Sequence, residues 1–280
     1  MLQNMGVEPE IIAINNSPTV LQALLAGEID AASISVTTLT SSRLAGADTV
    51  MIVGVVPTFV DHIVSLSNIT GVEQLKGKTG GVNRLGTTSD LGLRLALRRL
   101  GVEPDKDVKI IPTGGTAERF AALSKGLTQF TIIPEPFLTQ AEKLGFRNLV
   151  NISDLKIPFW WNGILTRESI IKAKRPLMQK LARAMVEAIH IIKTDKEFAK
   201  ALFKKNLGVS DPEGLERAYK DYSNAFPEIP YPTPAGVKTM LDDLAIKNPK
   251  AAAADPKTFV DPSLIEELDK SGFINQLYKR

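Results

Sequence analysis

The sequence predicts an α/β protein of two lobes, each a mostly parallel sheet flanked by helices, followed by a C-terminal helical extension. Three observations predict it: an internal repeat, strands alternating with helix-patterned stretches, and a series of helix signals after residue 167. Strand-helix alternation builds parallel sheets covered on both faces and joined by right-handed crossovers.

The repeat organises the chain. Gly6-Val7-Glu8-Pro9 recurs as Gly101-Val102-Glu103-Pro104. Each copy leads into an apolar strand (10–14 and 108–111), then a polar loop (15–18 and 113–116), then a helix-patterned stretch ending at Gly27 or Gly126. Buried strands follow at 29–34 and 130–133, then short helices stopping at Gly46 and Gly145, then strands at 50–56 and 148–152. Matching order and matching glycine stops read as two related lobes. The first comprises residues 1–77 and 159–280, the second 78–158, with linkers at 68–77 and 155–158 that act as hinges. The C-terminal stretches 176–194, 196–207, 212–225 and 234–246, with a last helix from about Pro262, pack on the first lobe, some reaching across to brace the hinge.

Composition narrows the function classes. Of 280 residues, 44% are hydrophobic and 23% charged, enough for a sizeable core in one or two domains. The 34 basic and 31 acidic side chains are dispersed, without the basic stripe that nucleic acid requires. Cysteine is absent, which excludes disulfides, thiolate nucleophiles and cysteine-ligated metal. His62 stands alone and His190 lies in a helical stretch as a packing or surface residue, so no metal and no cofactor are expected. No apolar run is long enough to span a bilayer, and residues 1–10 lack a signal peptide's basic and apolar regions.

In such sheets, ligands bind beyond the carboxyl ends of the strands. The loops there are rich in small hydroxyls and glycine: Asn16, Ser17 and Thr19; Ser35 and Thr37; Arg84, Gly86, Thr87, Thr88 and Ser89; Gly114 and Thr116. Two lobes set face to face would line one cleft with them. In the clearest loop, Gly86 allows a tight turn and Thr88 or Ser89 opens a helix whose first N–H groups point back into the loop. An anion there gains about 0.3–2 kcal/mol from the helix dipole, and Arg84 can add a bidentate contact. The plainer reading is that Thr88 and Ser89 only cap the helix and Arg84 is solvated. The loop is not a P-loop, since no lysine follows its second glycine at the required spacing. Glu135, between Pro134 and Pro136, either meets a ligand ammonium or caps the next helix. Of the adjacent Trp160 and Trp161, one packs inside and the other reaches the cleft, which is the place expected for Trp161.

A family resemblance follows from Ala23-Leu24-Leu25-Ala26-Gly27-Glu28-Ile29-Asp30-Ala31-Ala32, Leu75-Lys76-Gly77-Lys78 ahead of Gly81-Val82, Arg84-Leu85-Gly86-Thr87-Thr88-Ser89-Asp90, and Asp261-Pro262-Ser263 ahead of Ser271-Gly272-Phe273-Ile274. In order and spacing, these resemble the ABC-transporter substrate-binding proteins of the nitrate, sulfonate, taurine and thiamine-pyrimidine group, over essentially the whole chain from Gly6. The resemblance implies a type II periplasmic-binding fold, hinge closure on a small and mostly anionic ligand, a monomer, a periplasmic or envelope location, and delivery to an ABC permease in the inner membrane. The alternatives are a biosynthetic enzyme on the same fold, of thiamine-pyrimidine or menaquinone-pathway type, or a ligand-sensing domain. The cysteine- and histidine-rich iron segment of the thiamine-pyrimidine synthases has no counterpart here, and only Glu135 or Asp90 offers a nominal acid or base.

The repeat also sets an expectation for the N-terminus. In the second lobe a strand (79–83), a ligand loop and a helix (91–100) precede Gly101, whereas residues 1–5 alone precede Gly6. Met1 is thus expected to be an internal start, with roughly 20 further domain residues and an export signal upstream. For the loop at 84–89, replacing Arg84 with Ala is expected to weaken anion binding while leaving the unliganded Tm unchanged. Equal affinity in the variant, read by calorimetry, would remove Arg84 from the site.

Overall fold

Two sheets organise the computed structural model, which describes residues 1–14, 17–207, 211–246 and 248–279. The chain divides into two units. Unit 1 comprises Met1–Pro57, Pro158–Lys196 and Asn224–Arg280, and unit 2 comprises Thr58–Ile157 and Glu197–Ser223. The expected linkers were at 68–77 and 155–158, but the chain passes between units four times, first at Pro57–Thr58. The reason is pairing: residues 61–65 hydrogen-bond within the second sheet, and the helical residues 197–207 and 212–223 belong with unit 2 rather than with the first lobe.

Unit 1 begins with α1 (Ser17–Ala26), β1 (Ala32–Ile34), α2 (Val36–Leu44) and β2 (Thr49–Val56). Unit 2 follows with β3 (Asp61–Ser65), β4 (Thr79–Val82), α3 (Thr88–Arg99), β5 (Lys109–Pro112), α4 (Thr116–Ser124), β6 (Phe130–Pro134), α5 (Phe137–Lys143) and β7 (Arg147–Asn151). The chain then returns to unit 1 with β8 (Asn162–Arg167) and α6 (Glu168–Thr194). Unit 2 takes most of α7 (Lys196–Leu207) and α8 (Pro212–Ala225). Unit 1 takes α9 (Pro234–Ala245), α10 (Pro249–Ala253), α11 (Ser263–Lys270) and α12 (Phe273–Leu277).

The repeat survives in detail. α2 and α5 both end in a left-handed glycine, Gly46 at φ 97° and Gly145 at φ 85°, a conformation that costs other residues strain. Beyond each glycine the chain folds back identically: Ala47 N–H reaches Ser42 O at 3.1 Å and Phe146 N–H reaches Ala141 O at 3.0 Å. Strand order is β5-β4-β6-β3-β7 in unit 2 and β1-β8-β2 in unit 1, so β6, β3 and β7 match β1, β8 and β2. In both sheets the middle strand of that trio runs antiparallel to its neighbours and comes from the far side of a unit crossing. This corrects the expectation of mostly parallel sheets. Only β4 pairs in parallel, with β5 and β6, and both unit 1 ladders are antiparallel through β8.

Residues 10–14 are a second correction. They form no strand, and Ile11 and Ile12 are 88% and 57% exposed. Their counterpart β5 makes its ladder with β4, and no strand among the described residues of unit 1 stands in β4's place. Without a neighbour, an extended segment has no partners for its backbone groups and gains nothing by pleating.

Apolar patterning accounts for the rest. β2 is buried along nearly its whole length, and its free edge is covered by a bridge to Val260 and by Asp261 N–H donating to Met51 O. Against it pack α6 and α11 through Val50, Ile52, Met178, Ala182, Leu264 and Ile265. α6 contains a non-helical break at Lys174, two residues before Pro176, because proline disfavours helical geometry just upstream. No helix among the described residues is long and apolar enough to cross a membrane. Trp160 is 2% exposed, donates from Nε1 to Thr233 O, and lies flat between Gly54 of β2 and Gly236 of α9. A Cβ on Gly236 would sit 2.7 Å from the indole, and one on Gly54 would overlap its six-membered ring. Gly54→Ala is therefore expected to lose about 1–3 kcal/mol of unfolding free energy in urea titration. A loss below about 0.5 kcal/mol would mean that the indole has room to shift.

Candidate functional site

Unit 2 gathers three loops at the carboxyl ends of β4, β5 and β6. Residues 83–87 lead into α3, 113–115 into α4 and 135–136 into α5. The first two are bonded together: Thr113 N–H donates to Val82 O at 2.8 Å and Gly114 N–H to Asn83 O at 3.2 Å. Gly114, at φ 100°, makes that approach possible. α3 and α4 begin at Thr87 and Gly115 without a side-chain cap, so first-turn N–H groups at both helices carry no side-chain acceptor.

The loop at 83–89 closes largely on itself. Asn83 N–H donates to Ser89 Oγ at 3.0 Å, Thr87 Oγ1 donates to Arg84 O at 2.7 Å, and Thr87 and Ser89 hydroxyls lie 3.2 Å apart. Gly86 N–H donates to Asp90 Oδ2 at 2.8 Å. Asp90 is buried and also takes Arg94 Nε at 2.6 Å, and Arg94 in turn reaches Asp105 at 2.5 Å. The chain's own carboxylate thus fills that part of the turn. Arg84 is exposed, Thr87 and Thr88 are half-buried and Ser89 is buried.

Sequence reasoning missed Arg119. It is 5% exposed, donating from Nε to Ile132 O at 2.9 Å, from Nη1 to Gly114 O at 3.5 Å and from Nη2 to Thr116 Oγ1 at 3.1 Å. Burial pulls its pKa down, opposed by Asp61, itself buried, and by Glu118. Arginine stays charged through such shifts, so a cation sits directly beneath the hydroxyl loop. The sequence did carry a signal. Arg119 lies three residues before Ala122 and four before Leu123, on the apolar face of α4, where a charge is costly without partners.

Unit 1 has its own polar rim at the ends of β1 and β2 and the start of β8. Ser35 Oγ lies 2.8 Å from Thr37 Oγ1 and 3.3 Å from Thr38 Oγ1, and Ser33 Oγ donates to Asn162 Oδ1 at 2.9 Å. Trp160 O accepts Val36 N–H and Val56 O accepts Trp161 N–H, which brings the half-buried Trp161 to this rim. Ser17 opens α1 and Thr19 is exposed on it, while Asn16 lies outside the described residues. Among the described residues no cluster of three or more His, Asp or Glu is placed to hold a metal.

A family model of NMT1-like proteins matches residues 1–205. The chain belongs to the NMT1-like family. None of the curated proteins matches it by sequence. Among solved structures, this NMT1-like chain is similar to the ligand-binding component of an ABC-type import system from Staphylococcus aureus, with zinc bound (19% identity, 92% of this chain and 87% of that one, TM-score 0.73). It is similar to the alkanesulfonate-binding protein SsuA from Xanthomonas axonopodis pv. citri bound to MOPS (20%, 88% and 84%, TM-score 0.68). It is also similar to the periplasmic aliphatic sulphonate-binding protein SsuA from Escherichia coli (25%, 84% and 73%, TM-score 0.65). What these likenesses establish is the fold.

In the NMT1-like chain, Glu135 takes the capping role. Its Oε2 accepts from Thr139 N–H at 3.2 Å and Thr139 Oγ1 at 2.9 Å. Arg217 Nε of α8 stands 2.8 Å from Oε1 as an ion pair, off the hydrogen-bond direction, and Arg217 also binds Glu142. Beside it His62 is buried, 3.5 Å from Asp221, with neither ring nitrogen hydrogen-bonded. His190 packs edge-on against Tyr278. Burial at 2% exposure raises the Glu135 pKa above 4.5, opposed by Thr139 and Arg217 and reinforced by Asp221. A carboxyl harder to ionise folded than unfolded stabilises most below pH 4.5, and that stability is lost as pH rises through the native value. Relative to Glu135→Gln, wild-type stability is therefore expected to fall as pH rises above 4.5 in urea titration. A rise instead would make the Arg217 pair dominant over burial.

Proposed function

We propose that this chain is the ligand-capturing component of an ABC import system, binding a small anion and handing it to a permease in the inner membrane. The observation that carries this reading is the buried Arg119 guanidinium beneath Gly114 and Thr116, at the carboxyl ends of β4 and β5 where two uncapped helices begin. The same unit offers the side chains of a polar reader, Arg84, Thr88 and Thr116, and unit 1 has its own polar rim in Ser35, Thr37 and Trp161. A preformed cation with oriented hydroxyls and N–H groups favours sulfonate, carboxylate or nitrate over uncharged solutes. The import component and the two sulfonate binders of the same fold support the reading, as does the periplasmic location that one of their names carries. The protein works in the periplasm or cell envelope, as a monomer, with no chemistry performed on the ligand.

A thermal-shift screen against sulfonates, carboxylates, nitrate and pyrimidines tests it. A ligand at 100 times its Kd adds about 2.7 kcal/mol to stability and raises the Tm accordingly. The bound molecule is expected to be recovered unchanged after prolonged incubation. Conversion to product would replace the binding role by an enzymatic one, and no shift with any class would defeat the proposal.

A further inference from the structure

Hydrogen-bond polarity sorts the hydroxyls of the unit 2 loops into those whose proton is committed and those with a proton to give. A hydroxyl has one proton and gives it to one acceptor. The Arg84 carbonyl only accepts, so Thr87, 2.7 Å away, spends its proton there. Ser89 already accepts the Asn83 N–H, and the proton it shares with Thr87 at 3.2 Å is its own, because Thr87's is spent. That relay leaves nothing for a ligand, and Gly86 N–H is held by Asp90. Thr88 makes no hydrogen bond among the described residues and can turn either way.

Thr116 differs. Its Oγ1 accepts from Arg119 Nη2 at 3.1 Å, and none of the described residues takes its proton. The donor behind it is a buried cation locked to Ile132 O through Nε, so the guanidinium cannot turn away without breaking that bond. A hydroxyl that accepts from a cation becomes a stronger donor, because charge-assisted bonds polarise the next bond in the chain.

We infer that Thr116 is the hydroxyl that donates to the ligand's charged group, that Arg119 is the positioning residue behind it, and that this group is acceptor-only, a sulfonate, carboxylate or nitrate rather than an amide or ammonium. The inference rests on the binding role proposed above. It moves the anion from the loop at 84–89, where buried Asp90 holds the Gly86 N–H, to the start of α4, where the exposed Glu118 side chain lies over Gly114 and Gly115 and has to swing out for an anion to enter.

The test is isothermal calorimetry on the full chain with MOPS, ethanesulfonate, acetate and nitrate, and with ethanesulfonamide as the uncharged counterpart of ethanesulfonate. Thr116→Val keeps the shape and removes the donor. It is expected to cut the affinity ratio of sulfonate over sulfonamide about tenfold or more, with a lower Tm because Arg119 Nη2 loses its acceptor, and Thr116→Ser is expected to restore both. Arg119→Gln is expected to lower the same ratio, and Thr87→Val to leave it alone. A wild-type chain that prefers the sulfonate while Thr116→Val keeps that preference overturns this inference and leaves the binding role standing. A wild-type chain that binds none of the anions overturns both.

Discussion

Burying the Arg119 guanidinium takes a full charge out of water, and its three acceptors come from the three places that the candidate site has to hold together. Ile132 O belongs to the middle of β6, Gly114 O to the loop after β5, and Thr116 Oγ1 to the first turn of α4. An unmet buried charge costs several kcal/mol, so those loops are constrained to keep their acceptors aimed at it. The cation thereby fixes loop geometry before any ligand arrives. Asp61 and Glu118 act on its charge through space and offset part of the burial cost.

Segment 197–223 braces the same region from another side. Arg217 of α8 joins Glu135 at the mouth of the loop after β6 to Glu142 farther along α5. Lys143 meets Asp211 at 2.7 Å and Glu213 at 3.4 Å. The exposed pairs contribute little individually, whereas Glu135 in its pair with Arg217 lies where water is excluded. A helix late in the sequence therefore bears on a loop made much earlier.

What could be read from the residues was whatever is local. Glycine stops at Gly46 and Gly145 follow from φ/ψ preference, and the helices from residue 176 onward follow from apolar period and proline position, so the repeat, α6 to α9 and α11 were legible, while the short α10 was not. Residues 10–14 show the opposite case. Their Ile-rich pattern reads as a strand, but a strand is a relation between two segments, and pattern alone does not supply the second. The antiparallel insertion of β3 and β8 escaped for the same reason, and with it the true crossing at Pro57–Thr58. At the candidate site, sequence composition pointed to Thr116 and to the loop at 84–89. It did not show that Asp90 would take the Gly86 N–H, because that depends on the direction a side chain turns at a helix start. Glu135 was evenly balanced between two roles until Thr139 and Arg217 settled it as a cap and ion-pair partner.

The position of β8 between β1 and β2 has a consequence for how the protein is made. Neither β1 nor β2 touches the other in the sheet, so the first sheet has no ladder at all until residues 162–167 leave the ribosome. By then β3 to β7 have already emerged, and the second sheet contains every strand it needs. Unit 2's sheet can close first, while β2, an almost unbroken apolar run from Val50 to Val53, waits without partners. Long-range closure of this kind is slow and leaves a sticky segment exposed during synthesis. The strand that completes the first sheet is thus also a clock: it ties folding of the earliest residues to completion of the middle of the chain, and makes β2 the segment most in need of a chaperone's protection.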